Sequence, residues 1–335
     1  MTATQPATDV EQLAHLARAV EQLRGQVARR IVGQQEAVDG ILTAILAGGH
    51  ALLIGVPGLA KTLMVSTVAE ALHLSFNRVQ FTPDLMPSDI TGTEIIEEDL
   101  SSGKRVFRFV QGPIFANVVL ADEINRASPK TQSALLEAME EGSVTVDGQT
   151  RLLPQPFGVV ATQNPVEHEG TYTLPHAELD RFMIKMDLGY PDDHAETEML
   201  KLSRDPVADL SPVVGVEEFL RMRQLVEEVH ASEAVLRYVV SVTSATRDHR
   251  DVYLGASPRA SRMLLAASRA WAAASGRSYC TPDDVKALAP AVLAHRIIAS
   301  TEARGSSNGF AGGGSSVANE VVREILRSVP VTEAV

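Results

Sequence analysis

Gly55-Val56-Pro57-Gly58-Leu59-Ala60-Lys61-Thr62 is a glycine-rich turn that ends in a lysine and a hydroxyl. It follows the apolar run Ala51-Leu52-Leu53-Ile54, which reads as a short buried strand. It opens into Leu63 to Leu72, where apolar residues recur at helical spacing. Strand, glycine-rich turn, lysine, hydroxyl and helix is the layout of a triphosphate-binding loop. Gly55 and Gly58 let backbone N–H groups wrap a phosphate, with Pro57 and Leu59 shaping the turn between them. The positive end of the helix, at Lys61, Thr62 and Leu63, faces the anion. Lys61 reaches the β- and γ-phosphates, and the Thr62 hydroxyl is a magnesium ligand. The residue before the lysine is usually glycine and here is Ala60, which fits if it already has helical φ/ψ. The bland alternative is a turn between strand and helix that holds no ligand.

A second strand argues against that alternative. Asn117-Val118-Val119-Leu120-Ala121-Asp122-Glu123 is apolar and ends in two carboxylates. Behind a phosphate loop they divide the work: Asp122 holds magnesium, directly or through water, and Glu123 draws the proton from the attacking water. A solvated acidic turn before a helix capped by Ser128 and started by Pro129 is the competing reading.

At these residues the chain resembles the AAA+ ATPases and, among them, the MoxR family. Gly55–Thr62 is similar to that family's phosphate loop, where alanine before the lysine is a familiar variant. Leu120-Ala121-Asp122-Glu123-Ile124-Asn125-Arg126-Ala127 is similar to its magnesium-binding strand end. Asp84-Leu85-Met86-Pro87-Ser88-Asp89-Ile90-Thr91-Gly92 resembles its insert after the second strand, and Gln111-Gly112-Pro113-Ile114-Phe115 also fits. The resemblance implies further roles. Ile31 and Val32 would lie against the adenine. Asn164, after the strand Gly158–Thr162, would position water near the γ-phosphate. Arg181 would be an arginine finger donated to the neighbouring subunit. Arg259, in the helical lid, would be a second sensor of the nucleotide. Each has a plainer reading: a turn residue for Asn164, an ion pair with Asp180 or Glu178 for Arg181, an exposed helix arginine for Arg259. Ser257 as N-cap and Pro258 as first helical residue place Arg259 in a first turn, against the helix dipole, so a phosphate partner would compensate. Arg126 lines a subunit interface or caps a turn; both readings stand.

The 335 residues suffice for two domains with separate cores. The expected fold is α/β. A tail over 1–9 is disordered, an αβα core with a parallel sheet and two hairpin insertions covers 10–189, and an all-α lid covers 190–335 beyond Pro191. Core strands are expected at His50–Ile54, Phe76–Thr82, Val118–Ala121, Gly158–Thr162 and Met183–Leu188. Hairpins are expected at Asp99–Phe109 and Gly142–Leu152, the second turning at Asp147-Gly148. Lid helices are expected near 192–204, 216–229, 233–247, 258–275, 282–290 and 317–328, the fifth started by Thr281, Pro282 and Asp284. Arg304–Ser316, rich in Gly and Ser, reads as a mobile loop.

One cysteine, Cys280, excludes an intrachain disulfide framework and reads as a packing residue. Met1–Asp9 is polar, unlike a signal peptide, and no apolar run is long enough for a bilayer, so a cytoplasmic protein without direct membrane insertion is expected. The nine histidines lack paired ligand spacing, His168 and His176 being surface-loop candidates, so magnesium is the one metal expected. Three functions compete. The first is an ATP-hydrolysing ring, a homohexamer by the resemblance. It would remodel or mature protein complexes like a chaperone, with a partner bearing a von Willebrand factor A domain and sometimes in metal insertion. The second is a DNA-dependent motor. Lys104, Arg105 and Arg108 on the first hairpin suit it, whereas the formal charge of −12 and the lack of Lys or Arg from Gly142 to Thr150 in the second hairpin, with Arg151 at its base, disfavour DNA. The third is a nucleotide-gated scaffold with little turnover, against which Glu123 and Arg181 argue.

Overall fold

The structure is a computed structural model that describes residues 5–99, 104–166, 170–201, 210–306 and 313–331. In chain order the core contains α1 (Gln5–Ala28), α2 (Gln35–Leu46), β1 (Ala51–Ile54), α3 (Lys61–Ala71), β2 (Phe76–Gln80), α4 (Pro87–Thr91), β3 (Gly92–Asp99) and β4 (Lys104–Gln111). It continues with β5 (Val118–Asp122), α5 (Pro129–Glu141), β6 (Ser143–Val146), β7 (Gln149–Leu152), β8 (Gly158–Gln163), α6 (His176–Leu179) and β9 (Ile184–Asp187). The lid follows as α7 (Asp193–Lys201), α8 (Val216–Glu228), α9 (Glu233–Asp248), β10 (Val252–Leu254), α10 (Pro258–Ala274), α11 (Pro282–Leu293), β11 (Ile298–Ala299), α12 (Thr301–Ser306) and α13 (Gly313–Ser328).

The five parallel strands lie in the order β2-β5-β8-β1-β9. β5 is buried along its whole length, as a central parallel strand covered on both faces must be. Alternation sends neighbouring residues to opposite layers. Ala51, Leu53, Val118 and Leu120 join a cluster with α1, α2, α3 and the lid helices, while Leu52, Val119 and Ala121 join a second cluster with α5. The stripe Leu13, Leu16, Val20, Leu23 and Val27 of α1 is buried in the first cluster. Each such side chain contributes about 1.5–3 kcal/mol by leaving water. α1 thereby touches both α3 of the core and α10 of the lid. Among the described residues no helix is long and apolar enough to cross a membrane.

Several expectations shift. α1 starts at Gln5 where a disordered tail over 1–9 was expected; residues 1–4 lie outside the described residues. The first hairpin is longer than Asp99–Phe109: β3 pairs back to Gly92↔Gln111, because Thr93, Ile95 and Ile96 are strand formers. Its turn, at 100–103, lies outside the described residues. The second hairpin turns at Asp147 (φ 50°) and Gly148 (φ 77°), the left-handed pair that a two-residue hairpin needs. Of the expected loop Arg304–Ser316, α12 runs through Ser306 and α13 begins at Gly313; its middle, 307–312, lies outside the described residues. α13 is anchored by buried Val317, Val321, Val322 and Ile325, and the helix extends backward from that anchor through its glycines. The lid also holds a small antiparallel ribbon, Val252↔Ala299, too short to show as a pattern in sequence.

Capping chemistry is local. Ser128 Oγ accepts from Thr131 N–H at the start of α5, with Pro129 next. At α11 the Thr281 N–H and hydroxyl both donate to Asp284 Oδ2, at 2.7 and 2.8 Å. At α10 Ser257 occupies the N-cap position but its hydroxyl donates across to Asp180 Oδ2 at 3.0 Å instead of capping.

Candidate nucleotide site

The C-terminal ends of β1, β2, β5 and β8 converge on a cavity of about 470 Å³. Pro57 to Leu63, Arg78, Gln80, Asp122, Glu123 and Asn164 line it. Ala60 is left-handed (φ 53°, ψ 25°), not helical as expected. The turn must reverse there so that α3 can start at Lys61, and a Cβ in that region costs about 1–2 kcal/mol. Gly58 (φ 89°) makes the other reversal. Gly55 stays outside the cavity lining: its N–H continues the sheet to Gln163 O at 3.2 Å. A Cβ on Gly55 would stand 2.9 Å from that of Leu188, so the glycine serves close backbone approach. Lys61 Nζ donates to Gly55 O at 2.5 Å. Partial burial lowers its pKa, against the opposing pull of Asp122 and Glu123.

Thr162 ties the end of β5 to β8: its hydroxyl donates to Asp122 Oδ1 at 2.5 Å and accepts from Glu123 N–H at 2.9 Å. Glu123 itself is left-handed (φ 56°), a strained non-glycine backbone of the kind concentrated at functional sites. Asp122 Oδ2 lies 3.5 Å from the Thr62 hydroxyl. These hard oxygen donors fit magnesium, which takes one or two protein ligands and fills the rest with water and phosphate. Asn164 reaches the cavity as expected, and it also makes the plainer turn contact, Oδ1 accepting from Val166 N–H at 3.1 Å. Arg126 Nη1 donates to Glu123 Oε2 at 2.9 Å, three residues back across the turn.

Sequence reasoning missed Arg78 and Gln80. Arg78 donates to Asp122 Oδ2 from Nε at 3.1 Å and Nη2 at 2.7 Å, and Gln80 Nε2 donates to Glu123 Oε2 at 2.8 Å. Strand parity held the signal: Arg78 and Gln80 share a face while Val79 points into the second cluster.

Besides Gly55, four expected residues are not at this cavity. Ile31 is buried in the first apolar cluster and Val32 is half-buried. Their neighbours Gly33 and Gln34 line a second cavity, of about 620 Å³, beside β9 and the lid. There Gln34 Nε2 donates to Gly189 O at 3.1 Å. Arg181 and Arg259 lie at the other end of the sheet, where the strands begin. Both pair with Glu140, Arg181 at 3.2 Å, and they line a cavity of about 400 Å³ with His50, Met183 and Arg262. Arg259 is therefore not placed at the phosphate loop of its own chain, because α10 packs against α1, α2 and α8. Asp180 is taken by Arg296 (Nε to Oδ1, 2.8 Å) and Ser257, which leaves Arg181 to Glu140 rather than to Asp180.

Comparison with known proteins bears on the family and the fold. Residues 50–184 match the ATPase family associated with various cellular activities (AAA), and residues 244–311 match the AAA lid domain. The chain is 42% identical to Chaperone MoxR1 of Mycobacterium tuberculosis over 89% of this chain and 80% of that one. It is 32% identical to Protein MoxR of Methylorubrum extorquens over 83% and 87%. A crystal structure of a candidate ATPase from Cytophaga hutchinsonii superposes with a TM-score of 0.86 at 38% identity, covering 96% of this chain and 98% of that one. With a phosphate loop, a carboxylate pair and a helical lid in these positions, the chain belongs to the MoxR family of AAA+ ATPases.

Proposed function

We propose that this chain is the subunit of a ring, a homohexamer, that hydrolyses magnesium-bound ATP and uses the cycle to remodel protein complexes. Lys61 and the backbone N–H groups of Gly58–Thr62 hold the phosphates, and the adenine lies toward Ile31–Gln34. Thr62 and Asp122 hold magnesium, which when bound would supply charge neutralisation. Glu123 takes the proton of the attacking water and Asn164 orients that water. The observation that carries the ring is the separation of the arginines from the phosphate loop. Arg181 and Arg259 cluster where the strands begin, while the loop follows the C-terminal end of β1. They serve the neighbour's γ-phosphate, and Arg259 acts in trans rather than on its own chain.

A protein client is supported by the first hairpin. Ile96 and Phe107 face each other across the strands, 61% and 75% exposed, while Arg108 is paired with Glu97 at 3.1 Å. An exposed apolar pair beside an arginine neutralised by Glu97 suits a polypeptide better than a phosphate backbone. The likeness to a protein named a chaperone points the same way. A von Willebrand factor A domain partner, a place in metal insertion and a cytoplasmic setting belong to the same proposal.

The test is a mixture. Arg181→Ala should bind ATP normally yet turn it over about 10³–10⁵ times more slowly. Lys61→Ala should bind no ATP but keep its own Arg181. Mixed at concentrations where rings exchange subunits, the two should recover part of the activity. A mixture that co-assembles and stays inactive defeats the assignment. Glu123→Gln should bind ATP, fail to hydrolyse it, and retain clients for identification.

A further inference from the structure

The two arginines assigned to the neighbour's γ-phosphate stand on different bodies of the chain. Arg181 lies in the core, in the turn before β9, and Arg259 lies in the lid, in the first turn of α10. Reacting groups tolerate little error in placement: about 1 Å can cost a hundredfold in rate. Asp180, the residue before Arg181, spans the gap. Its two carboxylate oxygens go to two parts of the lid. Oδ1 accepts from Nε of Arg296, just beyond α11, at 2.8 Å, and Oδ2 accepts from the Ser257 hydroxyl at 3.0 Å. The Arg296 side chain is 1% exposed, and its Nη2 also donates to Asp180 O at 3.1 Å and Phe182 O at 2.6 Å. The lid thus grips the backbone on both sides of Arg181. Ser257 occupies the N-cap position of α10, two residues before Arg259, yet its hydroxyl accepts from no first-turn N–H. A serine there ordinarily caps its helix; this one turns to Asp180 instead.

We propose that Asp180 is a positioning residue: through Ser257 and Arg296 it fixes Arg181 of the core and Arg259 of the lid at one spacing, so that both meet the neighbour's γ-phosphate together. This rests on the reading that both arginines act in trans. Asp180 touches no nucleotide in this role. Each of its oxygens has its own donor, and bonds to a largely buried carboxylate hold their geometry well. Without the Ser257 hydroxyl the start of α10 can shift against the core, while Arg296 keeps its ion pair. The spacing of the two guanidinium groups then depends on Glu140, which bridges them from α5 in a half-exposed position where water screens the pairs.

The test uses the full chain at concentrations where rings form. Turnover is read by phosphate release, and binding by the anisotropy of a fluorescent ADP, which has no γ-phosphate. Ser257→Ala should lower turnover about ten- to a hundredfold, with ADP affinity equal to the parent's. Ser257→Thr keeps the hydroxyl and should rescue turnover. In an Arg259→Ala background the same Ser257→Ala change should cost far less, because the group it positions is gone. Mixed with Lys61→Ala, Ser257→Ala should regain turnover, since its own pocket is intact and only the arginines it lends are displaced. If Ser257→Ala folds poorly by circular dichroism, Ser257→Gly, also suited to an N-cap, carries the same expectations. Parental turnover in the Ser257 variant, weaker ADP binding, or an equal loss in both backgrounds overturns the proposal. So does a Ser257→Ala mixture that co-assembles and stays inactive while Arg181→Ala mixed with Lys61→Ala recovers. If that Arg181→Ala mixture also stays inactive, the trans reading itself falls. If it recovers and Ser257→Ala turns over like the parent, only the role of Asp180 falls.

Discussion

Ala60 is where the phosphate loop departs most from what its residue type prefers. It stands at φ 53° immediately before Lys61, in a region where a Cβ crowds the following carbonyl. Ala60→Gly should relieve that crowding and leave ATP affinity intact, with thermal stability equal to or about 1 kcal/mol above the parent's, since glycine's greater unfolded-state entropy offsets part of the gain. Ala60→Val should destabilise the loop and weaken ATP binding well beyond the alanine, because a β-branched side chain resists that backbone. Calorimetric melting and nucleotide titration of both variants check this. If the valine variant matches the parent, the loop does not need the reversal at Ala60. The sequence showed that residue 60 was unusual but not its conformation. The expectation of helical φ/ψ failed because the turn reverses one residue later than a helix start requires. Lys61, Thr62, Asp122 and Glu123 were legible because strand, turn and helix fix their order along the chain. The restraints on them were not legible, because Arg78, Gln80, Thr162 and Glu140 come from other elements.

At the scale of elements, the first hairpin depends on two glycines at its root. Gly92 has φ 93°, and a Cβ there would meet Val110 O at 2.3 Å; a Cβ on Gly112 would meet Ile90 O at 2.2 Å. The two backbones touch where β3 leaves α4 and β4 returns. Gly112→Ala should therefore tilt the hairpin and lower client stimulation of the ATPase, with basal turnover retained, since β5 and its carboxylates lie outside the hairpin. Equal loss of basal and stimulated rates would show that the hairpin is not a separate client element. Strands and helices were legible element by element because apolar alternation and capping residues are local. The hairpin's true length was less so: Glu94 and Glu97 interrupt the apolar pattern and find partners in Arg151 and Arg108.

For the whole molecule, acid is the telling perturbation. His50 lies beneath the sheet, its Nδ1 accepting from Val159 N–H at 3.0 Å and its Nε2–H donating to Met139 O at 3.1 Å. This arrangement needs the neutral ring, and burial pushes its pKa down to about 4. His295, between core and lid, is also held well below its ordinary value by burial and by Arg296. A depressed histidine keeps its full stabilising effect above the ordinary pKa near 6.5. Below that pH the unfolded chain takes the proton first, and stability falls until the folded pKa is passed. For His50 the loss between pH 7 and pH 4 is about 3 kcal/mol. Urea unfolding at intermediate pH values should show it, and His50→Gln, which cannot titrate, should lose less. Parallel losses in both would exonerate His50.

The apolar cluster shared by α1, α2, the sheet and the lid carries a further consequence, for how the protein can be recombined with its relatives. A boundary drawn at Pro191 looks like a seam in the chain, but the packing does not part there. α10 rests on α1 and α2, so the lid's binding face is partly written in the first 46 residues. A chimera that borrows a lid from a relative must borrow the two N-terminal helices with it; otherwise side chains shaped by separate histories meet across one core and leave voids or overlaps. The interchangeable unit is thus discontinuous, joining both ends of the chain around an ATPase middle.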